Sequence, residues 1–494
     1  MEMGEGWLKP LKISILVVLA SSAAAIGFAE SGLAYQLIDK LGYPALCQEL
    51  FLEVKSNYYG VRGLNPPQTV KLNVVNLRWV EENWARGGGD DPRLEVEEAI
   101  YKALMLIPDD LSLAAVQRRQ TLSIMAAASA GEIYVVEDYF NPLDQIEASK
   151  TLTHELTHIV QGYYFPGRTP STHDESKAWN ALIEGDASYT ADRYAEHLRS
   201  PKGLSIHGWN GEIPPPLMEL WLFPYRYGVG FVSHLYSVGG WNLVNEAYYN
   251  PPRTTEQVIH PEKYLAGEGF QGVDLPEPKG GYEVIRTDRL GEHFIKVFLS
   301  SHVGLEEGVK ASTGWNGDNF TYYKVDGEDF FAWGIAWDTH EDQVEFHESM
   351  EKLMESVEAT PLGNGTWRIG WRQLKIMEAP MGKGYITYLE ITTSHTSNHT
   401  REQHPTNGYG DIRHPHPAHK GFQAIPYDGE TCGAGIPVIE GSCISGSLDA
   451  GEPIHPSTYS SKHKIDLSRL PVQIETSSVR GRDNLYSAPS ILSG

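Results

Sequence analysis

The sequence predicts an α+β protein. Long runs with apolar residues at helical spacing fill much of the first 360 residues. Shorter pieces with partial alternation, such as Val70–Val80 and Glu132–Val136, read as strands. A His154-Glu155-x-x-His158 motif lies inside one of the helical runs.

Residues 31–59 have helical apolar spacing through Leu37, Leu41, Leu46 and Leu50. Val70–Val80 reads as a half-buried strand, and 87–92 as a Gly/Asp/Pro loop. Leu94–Leu106 is a helix ended by Pro108, and Leu111–Ala128 is another. Gly131 opens the short strand Glu132–Val136, expected at a sheet edge where a peptide could add as a strand. The motif helix runs from about Leu143 to Tyr164, and Pro166-Gly167 stops it. A further helix covers Glu175–Leu198. Past the break at Pro214-Pro215-Pro216, Leu217–Tyr249 reads as two helices joined near Gly239-Gly240. Trp333–Trp337 reads as a strand and Glu341–Val357 as a helix. After about residue 360, Gly, Pro, Ser, Thr and His dominate, with strand-like pieces at Thr366–Lys375 and Tyr385–Thr392.

A chain of 494 residues is long enough for several domains. Four segments are expected: a leader at 1–29, a main domain at 30–285, an α/β segment at 286–360 that completes or packs on it, and a Gly/Pro/His-rich extension at 361–494. The net charge of −24 argues against nucleic acid or an anionic membrane as the main partner, since both reward Lys and Arg. Residues 13–29 carry no charge, follow Lys9 and Lys12, and end in Gly27-Phe28-Ala29, as a cleaved signal peptide does. An uncleaved anchor is the alternative, and either one exports the rest to a secreted or cell-surface location. Cys432 and Cys443 then make a plausible disulfide, with Cys47 buried and unpaired. Asn319, Asn364 and Asn398 begin Asn-x-Thr triplets.

His154 and His158, four apart on a helix, share one face and can reach one metal ion. Glu155 sits at the edge of that face, as a general base beside zinc must. A third ligand is needed to leave one position open for water. Glu184, 26 residues beyond His158 on the next helix, supplies it through a helix–loop–helix hairpin. Asp186 points about 200° away on an ideal helix, and Glu175 and His173 are rivals in or near the preceding loop. With Zn2+ bound as Lewis acid, Glu155 would take a proton from water and pass it to the leaving amine. A donor for the oxyanion is also needed, for which Tyr225, Tyr227 and His260 are candidates.

His154-Glu155-x-x-His158 followed by Glu184-Gly-Asp-Ala187 resembles the gluzincin metallopeptidases, the thermolysin-like class. The chain is more closely similar to a group of exported prokaryotic gluzincin-like proteins, through three further stretches. These are Phe223-Pro-Tyr-Arg-Tyr-Gly-Val-Gly-Phe231 with Pro251–Tyr264, Gly314-Trp-Asn-Gly-Asp318, and Ala336–Phe346. The resemblance covers roughly residues 35–357 and implies a gluzincin-type domain: a small edge-stranded sheet over the motif helix and a mainly helical lower half. It implies His154, His158 and Glu184 as zinc ligands and Glu155 as base. The family's usual acidic residue four positions after the glutamate ligand is here Ser188, so support for a zinc histidine must come from elsewhere. The stretch Ala128-Ser-Ala-Gly131 also departs from the family, and 361–494 lies outside the resemblance.

Six histidines between His395 and His419 form a tract that can gather metal or serve as a polar loop. The expected function is an exported zinc metallopeptidase acting on a peptide or protein substrate. The alternatives are a cell-surface binding or assembly protein with a structural zinc site, and a zinc hydrolase of a non-peptide amide. The membrane is a partner only through an uncleaved N-terminal segment.

Overall fold

A computed structural model of the chain describes residues 42–85, 92–197, 213–379 and 384–393. The leader at 13–29, the His395–His419 tract, Cys432, Cys443 and Asn398 lie outside them. Helices and sheets are mixed. No helix among the described residues is long and apolar enough to cross a membrane.

The order begins α1 (Tyr43–Arg62), β1 (Lys71–Val75), α2 (Leu77–Asn83), α3 (Pro92–Ala103), α4 (Leu113–Thr121), β2 (Ala126–Ser129) and β3 (Glu132–Val136). Residues 76–80, expected to extend the first strand, instead open a helix. The Asn76 side chain accepts the Trp79 N–H at 3.0 Å and caps it. Residues 122–128, expected as helix, hold a turn and the strand β2. The alanine run favours a helix locally, but pairing of β2 along β3 overrides that preference.

These strands form a three-stranded sheet in the order β1-β3-β2, with β1 parallel and β2 antiparallel to β3. Glu132–Val136, expected to be the edge, is the central strand, and β2 is an edge. One face of the sheet buries Ile133 and Val135 against α1 and the motif helix α5 (Gln145–Tyr164). Cys47 is a free thiol in that core, and burial pushes its pKa up to about 11.

Then come α6 (His173–His197), α7 (Pro215–Ala247), α8 (Thr255–Ile259) and α9 (Pro261–Ala266). Helix α7 is kinked at Gly240, whose φ of 60° a side chain would disfavour. The two-helix expectation for this stretch corresponds to that kink. Helices α6 and α7 share an aromatic and aliphatic core around Leu182, Phe223 and Phe231.

The remainder is β4 (Tyr282–Asp288), α10 (Gly291–Val303), α11 (Leu305–Ser312), β5 (Trp315–Val325), β6 (Glu328–Trp337), α12 (His340–Ser356), β7 (Thr360–Gly363), β8 (Thr366–Ile369), β9 (Arg372–Glu378) and β10 (Tyr385–Thr393). All seven strands form one sheet in the order β4-β5-β6-β10-β9-β8-β7. Residue 360 is therefore not a boundary. β10 pairs with β6 from Tyr385 opposite Trp337 to Thr393 opposite Asp329. The Gly and Thr content that suggested a loop-rich extension from 361 is hairpin chemistry at its start: Gly363, Asn364 and Gly365 all have positive φ in the β7–β8 turn. Asn364 is exposed there, whereas Asn319 lies within β5 and donates to the Val273 carbonyl.

Candidate metal centre

Helix α5 is buried almost all round between Ala148 and Thr157. Its polar residues are satisfied locally: Thr153 and Thr157 donate to the carbonyls four residues back at 2.7 Å. Helix α6 returns antiparallel beside it, with Lys150 paired to Asp192 at one end and Gln161 donating to the Ile183 carbonyl near the other. This hairpin brings His154, His158 and Glu184 together, with a ligand atom from each within 4.8 Å of the others. The two Nε2 atoms are 3.0 Å apart. Glu184 Oε2 lies 3.2 Å from one and 3.5 Å from the other.

The donor set fits a cation. Gln161 Nε2 donates to a carbonyl, so its Oε1 is the acceptor that faces His158 Nδ1 at 2.9 Å. His158 Nδ1 therefore donates to Gln161, which leaves Nε2 as the ring's ligand atom once a cation displaces its proton. Ser188 Oγ lies 3.4 Å from His154 Nδ1 and supports that ring weakly. Glu184 Oε2 is near both rings yet makes no directed hydrogen bond. Two imidazoles and a carboxylate with converging lone pairs are zinc's preferred protein donors.

Burial opposes charge at Glu184, but the neighbouring histidines outweigh it and bring the carboxyl down to about 2. Burial likewise opposes protonation of His158, but Glu184 wins and lifts it to about 9. The two shifts are the two sides of one attraction between the Glu184 carboxylate and the His158 ring. Glu155 is fully buried and close enough to feel the charges of His154, His158 and Glu184. Burial raises its pKa against the pull of His154 and His158, and the nearby Ala128 N–H on edge strand β2 lowers it.

The rival ligands are occupied elsewhere. Glu175 accepts from the Ser171 N–H and hydroxyl, and the His173 ring packs edge-on to Phe294. Asp186 does turn away from the cluster. It accepts from Arg62 at 2.8 and 3.0 Å and from Tyr248 at 2.7 Å, tying α1 and α7 to α6. A second acidic grouping, Glu256, Glu268 and Asp338, surrounds the Lys263 ammonium at 2.6, 2.8 and 3.5 Å, so a side-chain cation already sits among these carboxylates.

Of the three candidate oxyanion donors, Tyr225 is buried on α7 and Tyr227 half-buried two residues on. They precede Gly228, where α7 meets α6 so closely that a Cβ would lie 2.3 Å from the Ala181 carbonyl oxygen. A Cβ on Gly185 would in turn lie 2.2 Å from the Gly228 oxygen. The Tyr227 hydroxyl accepts from Lys296 Nζ. His260 is not part of the donor set: its Nε2 faces Glu292 at 3.2 Å. Sequence reasoning missed Gln161, although its place three residues after His158 on the same helix face was a readable signal.

A family profile described as "Domain of unknown function (DUF8575)" matches residues 282–376, from β4 into β9. That match is under half of the chain and includes none of the donors. No curated protein matches the chain.

Proposed function

We propose that this chain is an exported zinc-dependent peptidase built on a gluzincin-type domain. The observation that carries the reading is the convergence of His154, His158 and Glu184 beside the Glu155 carboxylate. A zinc ion held by those three residues would supply Lewis acidity toward water and toward a carbonyl. Glu155 takes a proton from the attacking water. The water oxygen adds to the carbonyl carbon, the C–N bond breaks, and Glu155 delivers the proton to the departing amine. The nearby Ala128 N–H favours the charged carboxylate. Among the described residues β2 pairs only with β3, so its other edge suits a peptide bound as an added strand.

One observation favours the alternative, a binding protein with structural zinc. His154, Glu155 and Glu184 are each 2% exposed, and only the His158 side chain, at 18%, opens to solvent. A mixed peptide library incubated with zinc-loaded protein and with Glu155→Gln decides between them. Cleavage by the first alone supports the peptidase. Silence from both with zinc retained supports the structural site.

A further inference from the structure

Lys177 precedes Glu184 by seven residues on α6. Seven residues make almost two turns, so both side chains leave the same face, about 10 Å apart along the axis. Lys177 is buried and lies near His293 of α10, also buried. The His293 Nε2 faces the Glu219 carbonyl at 3.2 Å, so it carries the proton. Burial first, then Lys296 and Lys177, keep that ring neutral. Its Nδ1 is then a buried lone pair with no hydrogen-bond partner.

Tyr227 lies beside this ring, 5.6 Å between centroids. Lys296 donates to the Tyr227 hydroxyl, which leaves the phenol proton free to donate onward. Tyr227 and Lys296 are both half-exposed. The described partners of this ammonium are the Tyr227 hydroxyl and ring, in a chain with far more acid than base. The helix contact at Gly228 and Gly185 ties Tyr227 to the metal donors next door.

An ammonium and a phenol donor beside one bare acceptor match a specific group. The last residue of a peptide offers a carboxylate to the donors and its own N–H to the acceptor. A Glu or Asp side-chain carboxylate sits farther from its backbone N–H. We propose that Lys296, Tyr227 and His293, with Lys177 behind them, bind the C-terminal residue of a peptide. Combined with the hydrolytic reading above, on which this consequence rests, cleavage falls two or three residues from the chain end. Roughly 10 Å spans about three extended residues.

Binding separates this proposal from catalysis. Zinc-loaded Glu155→Gln protein, and the same protein stripped of zinc, are titrated calorimetrically with N-acetyl-tetra-alanine as free acid and as C-terminal amide. The free acid is expected to bind about tenfold tighter in both forms, as a charge-assisted hydrogen bond requires. Lys296→Met removes the preference and Lys296→Arg keeps most of it, with circular dichroism showing each folded. Equal binding of acid and amide, no binding of either, or a preference that survives Lys296→Met would overturn the assignment. So would an amidated peptide with one internal Glu that binds as tightly as the free acid. A preference without cleavage by the wild-type protein leaves this site standing and removes the peptidase reading alone.

Discussion

In the seven-stranded sheet, Asp318 accepts four N–H groups: Leu290 and Gly291 backbone at 2.9 Å, Trp315 Nε1 at 3.1 Å and Trp333 Nε1 at 3.0 Å. In the helix hairpin, Glu184 is equally hidden from water, but its Oε2 is surrounded by imidazole nitrogens and has no directed donor. Asp186, only two residues on, is again saturated, by Arg62 and Tyr248. Proteins satisfy nearly all buried polar groups, and exceptions concentrate where a ligand or reaction completes them. The contrast therefore separates carboxylates that hold the fold from the one that suits the proposed cation.

The comparison breaks most sharply under paired substitutions. Asp318→Ala leaves four buried donors unsatisfied and is expected to cost on the order of 3 kcal/mol or more. Glu184→Ala, with metal chelated, is expected to cost less than Asp318→Ala, because it removes the carboxylate's attraction to His154 and His158 together with its own desolvation and leaves no saturated set of donors behind. Its effect is on zinc, where retention after dialysis is lost, while Asp318→Asn keeps one zinc per chain. Urea melts with chelator and metal analysis read both. A Glu184→Ala melt as weakened as that of Asp318→Ala would end the distinction.

Gln161 sharpens it. Removing the acceptor of His158 Nδ1 by Gln161→Ala frees the ring to rotate and change tautomer, and zinc affinity is expected to fall about 10–100-fold. Competition with a chromogenic chelator measures it. Gly228→Ala acts on the frame rather than the donors. Its methyl meets the Ala181 carbonyl, so α6 and α7 must part, at a cost of about 1–2 kcal/mol. A variant as stable as the parent would mean that the helices slide freely and that the closeness of Tyr227 to the metal donors is not enforced.

The donor set was legible because it is local: two histidines one turn apart and a glutamate on the following helix need only the hairpin to meet. The glycine contact of α6 with α7 was not, because nothing in Gly185 or Gly228 names its partner. The seven-stranded sheet was mostly hidden for the same reason. Its β6–β10 pairing joins residues about fifty apart, and strand pairing depends on partners that a window of sequence does not contain. The alanines of β2 show the opposite failure, where a strong local preference was overruled by pairing with β3. His260 was placed among catalytic candidates by position alone, and the acid that engages it, Glu292, lies on a helix that the sequence reading left unassigned.

His260 gives the smallest expected effect and the cleanest sign. Its hydrogen bond to Glu292 raises its pKa above the ordinary histidine value, with burial opposing. A raised folded-state pKa means that the stabilisation is fully present below the unfolded value, about 6.5. It is lost as pH climbs through the folded value. His260→Ala is therefore expected to lower the urea midpoint at pH 6 by under about 1 kcal/mol equivalent, since the ring is partly exposed. Above the folded value the two proteins should converge. If the proposed peptidase activity is present, its kcat should change less than tenfold, because His260 serves Glu292 and not the reacting carbonyl. A fall of about 100-fold or more, the size expected for a lost oxyanion donor, would return His260 to the reaction and require α8 and α9 to close on the metal donors during turnover.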